Sequence, residues 1–479
     1  MGDKRQKIQL ELAFAVGGTG EARTPGRKGT ESSMARYESE RLAESERLME
    51  AVCEAKNLKY ALRKVKSNGG SAGIDGMQVE ELPSWLIANW SAIRDALLDG
   101  RYEPEPVKRV ELEKPDGGTR LLGIPTVIDR FVQQAVLQVL QRIWDPTFSQ
   151  SSYGFRPERS AHQAVAAAQK YLEEGYRWVV DIDLEKFFDR VHHDRLMARL
   201  ARRVRDKRML RLIRKFLTSG VLIGGIVSPI EEGTPQGGPL SPLLSNIVLD
   251  ELDQELERRG HKFVRYADDC NIYVRSERSG LRVMQSLRRL ITSRLRLRVN
   301  ESKSAVARPH ERKFLGFSFT NRKRPKRRIA PQSLRRFKDR IRKLTARKRG
   351  RKLADVISEL NSYVSGWKGY FGYCETPSVL KMLDGWIRRR LRAYIWSMWD
   401  TVRKRRSALT ALGTSRTEAA RLAATRLGPW RISRSEITHA ALSTAYFDQL
   451  HLVRLASPAQ PPNRRVRTRM HGGVGGGEP

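Results

Sequence analysis

Apolar side chains recur along this chain with two periods, and the switches between them outline its elements. Leu48, Val52, Leu58 and Leu62 fall at helical spacing within residues 42–66, and the run Asn68-Gly69-Gly70-Ser71-Ala72-Gly73 ends that helix. A second helix-rich stretch, residues 79–98, leads to Gly100 and a boundary at Pro104 and Pro106. Residues 107–319 mix both periods. In Arg177-Trp178-Val179-Val180-Asp181-Ile182-Asp183-Leu184, strand alternation sets Asp181 and Asp183 on one face and Val180 and Ile182 on the other. Phe263–Val264 and Ile272–Val274 flank Asp268-Asp269, which predicts strand, turn and strand with both acids at or near the tip. Residues 114–122 read as a hairpin turning at Asp116-Gly117, and the loop Gly233–Pro242 leads into a helix over residues 243–256. Beyond Phe319 the helical period returns in Leu334, Phe337, Ile341 and Leu344, and again in Ile387, Leu391, Tyr394, Ile395 and Met398. A small helical region, broken at Gly428-Pro429-Trp430, occupies 411–455.

Charge narrows what such a chain binds. Its 479 residues allow roughly two to four domains. The net charge of +38 exceeds what solubility requires and predicts a polyanionic partner. Residues 321–352 hold 17 Lys or Arg against one acid, Asp339, which at helical spacing makes a helix with one packed face and one basic face. Eight Trp or Tyr residues lie between 363 and 399, interleaved with Arg388, Arg389, Arg390 and Arg392. They suit base stacking and phosphate contact, and equally a helical core. Cys53, Cys270 and Cys374 have no CxxC spacing, which argues against structural zinc and fits a reducing compartment. No run of 18 apolar residues and no apolar signal-peptide core occur, so a soluble intracellular protein is expected. Residues 1–40 and 457–479 have the composition of disordered tails.

The acids carry the chemistry. Two adjacent carboxylates on an apolar hairpin repel one another unless a cation lies between them, although an Asp-Asp pair also suits a solvated turn. Asp183, at the end of its strand, could meet Asp268 and Asp269 across a sheet. Three such carboxylates could hold two divalent metals roughly 3.5–4 Å apart, with phosphate completing the coordination. Gln236, in the Gly/Pro loop, has the donor and acceptor needed to read a templating pair; the loop is otherwise a plain junction whose glycines let backbone approach a ligand. Lys114 and Arg120 flank the Asp-Gly turn and would destabilise it unless an anion such as a triphosphate sat between them; Lys114 also reads as a plain exposed strand residue. Phe188 could exclude a sugar 2′-hydroxyl or pack in the core, and Lys303 could protonate a leaving pyrophosphate or shield it. The apolar run Phe314–Phe319, with Gly316 at its centre, could position a primer end or pack.

The ordered set RxxxIP, YGFRPxRS, DIDLEKFFDxVxHDxL, GTPQGGPLSPLLSN, YADD, NxxKS and FLGF resembles the group II intron-encoded reverse transcriptases. The later GWKGYF and WIRRRLRAYIWSMW segments look like that family's maturase, or thumb, domain. The resemblance implies an α+β right-hand polymerase with an antiparallel palm sheet, followed by a helical thumb. It divides the chain into a basic tail (1–40), a helical extension (41–106), fingers and palm (107–319), thumb (320–410), a small basic domain (411–456) and a second tail (457–479). It implies Asp183, Asp268 and Asp269 as catalytic metal ligands, with Leu184 in the metal set, for two Mg²⁺ ions that Mn²⁺ could replace. Lys114, Arg120, Phe188, Gln236 and Lys303 become nucleotide contacts, and Gly316, Trp367, Arg388 and Arg389 contacts to primer or RNA. The implied partners are group II intron RNA, an RNA template with a DNA primer or target, and deoxynucleoside triphosphates, with no membrane. The implied setting is a bacterial cytoplasm close to the nucleoid. The HNH nuclease common in the family is missing from the sequence, so retargeting would need another primer source, such as a nascent strand. A retron-like, diversity-generating or domesticated enzyme, or a pure RNA-binding splicing factor, would share parts of this pattern. If Phe188 gates the sugar, Phe188→Ala should admit ribonucleotides in primer extension; unchanged sugar selectivity would remove that assignment.

Overall fold

The computed structural model describes Phe14 and residues 46–113, 119–223, 226–228, 232–234, 237–347 and 350–456. They fall into two compact units, one running to Ala164 and resuming over Trp178–Ala307, the other made of Val165–Arg177 and the chain from Arg308. The expected tails at 1–40 and 457–479 lie outside the described residues.

The first unit opens with helices α1 (Leu48–Cys53), α2 (Ala55–Asn68) and α3 (Leu82–Leu98). The sequence predicts α1 and α2 as one helix, but Glu54 is extended, with ψ 133°, and divides them. The Asn57 carboxamide donates to the Val52 carbonyl at 2.9 Å, an acceptor that a helix end leaves open, and also to the Ala135 carbonyl at 3.1 Å. Next come β1 (Val107–Glu113), β2 (Thr119–Ile124) and α4 (Val127–Trp144), whose first turn is capped by Thr126. Helix α5 (Ala161–Glu173) passes into the second unit at Val165. The first unit resumes with β3 (Trp178–Ile182), α6 (His193–Leu200), α7 (Lys207–Thr218), β4 (Val221–Ile223) and β5 (Ile226–Ser228). It ends with α8 (Ser241–Arg258), β6 (Lys262–Tyr266), β7 (Asp269–Val274), α9 (Glu277–Leu290) and β8 (Ala305–Ala307).

Two sheets result. One has the order β2-β1-β4-β5, with β1 antiparallel to β2 and parallel to β4. The hairpin forms as expected, but Arg120 stands opposite Leu112 and Thr119 opposite Glu113, so the register does not pair Arg120 with Lys114. Lys114, the Asp116-Gly117 turn and the Arg120 side chain lie outside the described residues. The other sheet, β6-β7-β3-β8, is antiparallel throughout. Its alternation follows the sequence: Val180, Ile182, Phe263, Ile272 and Val274 join one core with Leu249, Leu252 and Leu256 of α8 and Met284 and Leu287 of α9.

The second unit pairs β9 (Phe317–Phe319) with β10 (Arg327–Ile329) and continues through α10 (Pro331–Leu344), α11 (Leu353–Phe371) and α12 (Pro377–Met398), with shorter helices from Val402 to Gln449. Helix α10 has the predicted two faces: Phe337, Ile341 and Leu344 are buried, while Arg335, Arg336, Arg340, Arg342 and Lys343 are exposed. The aromatic stretch resolves largely into core. Trp367 is 8% exposed, its ring centroid 4.3 Å from that of Phe337 and 4.7 Å from that of Phe371, so its faces are taken by neighbouring rings. Little of Trp367 is thus left for the contact to primer or RNA that the resemblance implies. Tyr394 and Trp396 are buried as well. Among the described residues no helix is long and apolar enough to cross a membrane.

Ile272, fully buried between Val180 of β3 and Phe263 of β6, reports on the antiparallel sheet. Ile272→Ala should cost about 2–5 kcal/mol, read as a lowered denaturation midpoint; an unchanged midpoint would contradict this packing.

Candidate active site

Pairing of Tyr266 with Asp269 leaves Ala267 and Asp268 as a two-residue turn between β6 and β7. Ala267 has φ +57° and Asp268 does not have a positive φ, the signs of a II′-type hairpin turn with alanine where glycine is usual. Asp268 therefore sits on the turn and Asp269 begins β7. On the neighbouring strand, Ile182 stands opposite Cys270. Asp183 follows Ile182 just as Asp269 precedes Cys270, so both leave the sheet at the same end, on backbones about 5 Å apart. Asp183, Asp268 and Asp269 are all half-buried. Asp181 lies one rung deeper, opposite Asn271, and is 8% exposed.

The backbone around Asp183 is held from one side. Its N–H donates to Ser304 Oγ at 3.0 Å and its carbonyl accepts from Asn300 N–H at 2.8 Å. Glu185 N–H donates to the Arg298 carbonyl at 2.8 Å, and Leu184 bridges to Val299. The turn carrying Lys303 is thus fastened behind Asp183, with Lys303 itself exposed. Leu184 is 7% exposed in the core and has only its carbonyl to offer a ligand. The sequence reading assigned no part to Ser304; its place directly after Lys303 in the NxxKS motif was the available signal.

A second contact joins the aromatic segment to the Gly/Pro loop. Phe187 is buried and Phe188 half-buried, with ring centroids 5.2 Å apart, edge to face. Phe188 packs against the core, so its core reading holds for part of the ring. Its carbonyl accepts from Thr234 N–H at 2.6 Å, and Gly233 N–H donates to the Val191 carbonyl at 2.8 Å. His193 Nε2 lies 2.6 Å from the Gly233 carbonyl. A carbonyl only accepts, so that nitrogen carries the proton, and burial lowers the imidazole pKa. Gly233 has φ +98°, and a Cβ there would stand 2.8 Å from the Phe188 carbonyl oxygen. Gln236 lies outside the described residues. The next glycines approach protein, not the expected ligand: a Cβ on Gly237 would meet the Gly123 carbonyl at 2.5 Å, and one on Gly238 would meet Gln133 Oε1 at 2.3 Å.

Among the described residues no three His, Cys, Asp or Glu side chains already form a metal cage. The acid cluster nevertheless has the right donors for a hard cation: carboxylate oxygens, partly open, at one sheet end. Mg²⁺ is commonly held by one or two carboxylates and completed by substrate phosphates and water, so a closed protein cage is not required.

The other expected contacts belong to the second unit. Leu315 (φ +50°) and Gly316 (φ +82°) form a tight turn closed by two 2.9 Å bonds between Phe314 and Phe317. A Cβ on Gly316 would press on the Phe371 ring at 3.1 Å. The Arg389 guanidinium stacks 3.8 Å from the Trp430 ring centre and donates to the Trp430 carbonyl and to Ser433 Oγ. Arg388 is half-buried; burial first and the Arg388 charge second lower Arg392 to about 10. Arg342, Arg347 and Arg390 line a cavity of about 400 Å³ on this basic surface.

Comparison with known proteins places this geometry. Residues 112–319 match the family described as reverse transcriptase (RNA-dependent DNA polymerase), and residues 334–413 match the group II intron, maturase-specific domain. Protein YkfC of Escherichia coli (strain K12) is 34% identical over 305 residues, covering 55% of this chain and 80% of that one. The group II intron-encoded protein LtrA of Lactococcus lactis subsp. cremoris is 41% identical over 174 residues, 36% of this chain and 29% of that one. The matched span is therefore most of YkfC but under a third of LtrA.

Gly233→Ala tests the lacing of loop to aromatic segment. It should loosen Phe188, cost about 1–3 kcal/mol of stability and raise ribonucleotide incorporation; wild-type sugar discrimination in primer extension would show that the contact does not hold the ring.

Proposed function

The chain belongs to the reverse transcriptases that carry a group II intron maturase-specific domain, RNA-directed DNA polymerases linked to intron splicing and mobility, and from that premise we propose how its own residues divide the work. The carrying observation is the register Ile182↔Cys270, which brings the strand end bearing Asp183 beside the turn bearing Asp268 and Asp269. These carboxylates, with the Leu184 carbonyl, would hold two Mg²⁺ ions, for which Mn²⁺ can substitute. When bound, the ions activate the primer 3′-hydroxyl and stabilise charge on the leaving pyrophosphate.

Around them, Asp183 is oriented by Ser304 and Asn300, and Lys303, on the same turn, meets the leaving group as proton donor or counter-charge. Phe188 excludes a 2′-hydroxyl. Lys114 and Arg120 contact the triphosphate, Gln236 reads the template pair, and the Leu315-Gly316 turn meets the primer. The basic faces of α10 and α12, including Arg388 and Arg389, bind structured group II intron RNA, which performs the splicing chemistry itself. The template is RNA, the primer DNA, and the setting the bacterial cytoplasm near the nucleoid. The domain limits are those read from the sequence, with fingers and palm over 107–319 and thumb over 320–410. The maturase-specific match across Gly366–Phe371 favours this reading over a retron-type or diversity-generating enzyme.

Asp268→Ala should lower primer extension on an RNA template by at least about 10³-fold while RNA affinity and assisted splicing persist, since one ligand of the reacting centre is lost and the basic surfaces are not. Wild-type cDNA synthesis by that variant would overturn the site.

A further inference from the structure

Arg265 is the last buried residue of β6 before the acid turn, and its side chain is 0% exposed. A buried guanidinium costs several kcal/mol unless its donors are met. Here all five N–H groups have an acceptor. Nε and Nη2 grip Asp253 of α8 in a fork, at 2.7 and 2.6 Å. Nη2 also reaches Ser152 Oγ at 2.8 Å. Nη1 donates to Asn246 Oδ1 at 2.9 Å and to the Ala267 carbonyl at 2.8 Å.

The last of these bonds matters for chemistry. The Ala267 carbonyl belongs to the peptide plane that carries the Asp268 N–H, so fixing it fixes the direction in which Asp268 leaves the chain. Ala267 has φ +57°, where an L-residue pays roughly 1–2 kcal/mol, so the turn does not hold itself. It is braced from a second side. Asn246, which accepts from Arg265, donates through Nδ2 to the Gly154 carbonyl at 2.9 Å. A Cβ on Gly154 would stand 2.2 Å from Ala267 N, so that backbone lies hard against the turn. The segment is stitched to β6 itself: Tyr153 N–H donates to the Arg265 carbonyl and Arg265 N–H to the Ser151 carbonyl, each at 2.9 Å. Stability alone is a poor reason for such a pair, since apolar residues of similar volume often replace a buried ion pair without loss. An apolar side chain could not donate to Ala267.

We propose that Arg265, anchored on Asp253 and Asn246 of α8, is a positioning residue for the metal-binding turn: it locks the Ala267–Asp268 peptide so that the Asp268 carboxylate is set before any metal arrives. This rests on the proposed role of Asp268 as a metal ligand, and the two fail separately. Activity in Asp268→Ala removes the ligand; a silent change at Arg265 removes only the lock.

The test uses the full chain. Arg265→Lys keeps the charge but has one nitrogen in place of the fork, so it cannot hold Asp253 and Ala267 together. Gly154→Ala leaves the Arg265–Asp253 pair intact and pushes on the turn. Three quantities are measured: hydrogen exchange of the 266–270 amides in metal-free protein, Mn²⁺ affinity by electron paramagnetic resonance, and primer-extension kinetics with template–primer affinity. Both variants should exchange the turn amides at least about tenfold faster with β3 and α8 unchanged, bind Mn²⁺ about tenfold more weakly, and lose about 10²-fold in kcat at unaltered template–primer affinity. Wild-type exchange, Mn²⁺ affinity and kcat in a folded Arg265→Lys protein would overturn the proposal. If that variant does not fold, the same wild-type values in Gly154→Ala would overturn it.

Discussion

Like charges brought to one end of a sheet push the backbone that carries them apart, and the first unit is arranged so that this backbone does not yield. Asp183 and Asp269 leave adjacent strands at the same level, with Asp268 on the turn between them. Their strands lie in a four-stranded antiparallel sheet whose inner face is filled by Val180, Ile182, Phe263 and Ile272. Slipping β3 by one residue would turn its apolar face outward, so hydrophobic burial holds in register what electrostatics would separate. Under the proposed metal role, that repulsion is what a bound cation would relieve.

Rigidity is reinforced wherever the chain is locally least determined. The turn after Arg265 contains Ala267 (φ +57°) and the segment Phe187–Asp189 follows Lys186 (φ +47°); these two and the strand end at Asp183 are each tied to something distant in sequence. Ser304 and Asn300 hold Asp183; Asp253 and Asn246 hold Ala267 through Arg265; Thr234 holds the Phe188 carbonyl. In each case a backbone N–H or carbonyl next to the candidate reacting group is engaged, while the reacting side chain stays partly exposed. Partly exposed carboxylates on a constrained main chain are what a site completed by its substrate requires.

The second unit separates charge from packing. Phe337, Trp367 and Phe371 pack as tilted rings into one aromatic cluster while Arg335, Arg336, Arg340 and Lys343 face outward from α10. Two guanidinium groups that are not fully outside lie on aromatic faces, Arg389 on Trp430 and Arg327 on Tyr373 at 4.0 Å. Such stacking keeps a cation partly desolvated yet presentable, a surface suited to a phosphate backbone.

Local pattern was legible in the residues alone. Alternation located β3, β6 and β7, helical spacing located α10 and α12, and the juxtaposition of acids with an apolar hairpin singled out Asp268 and Asp269, because burial of one face imposes a period that any single strand or helix displays. What each element meets is not periodic. The register Ile182↔Cys270, the grip of Arg265 on an aspartate of α8, the proximity of Gly237 to Gly123, and the burial of Trp367 arise between segments far apart in the chain. The break at Glu54 depended in the same way on the carboxamide of Asn57. Residue order specified which side chains carry charge and which face must be dry; only the folded chain decided which backbone groups they hold, since that choice is made by packing distance and not by sequence distance.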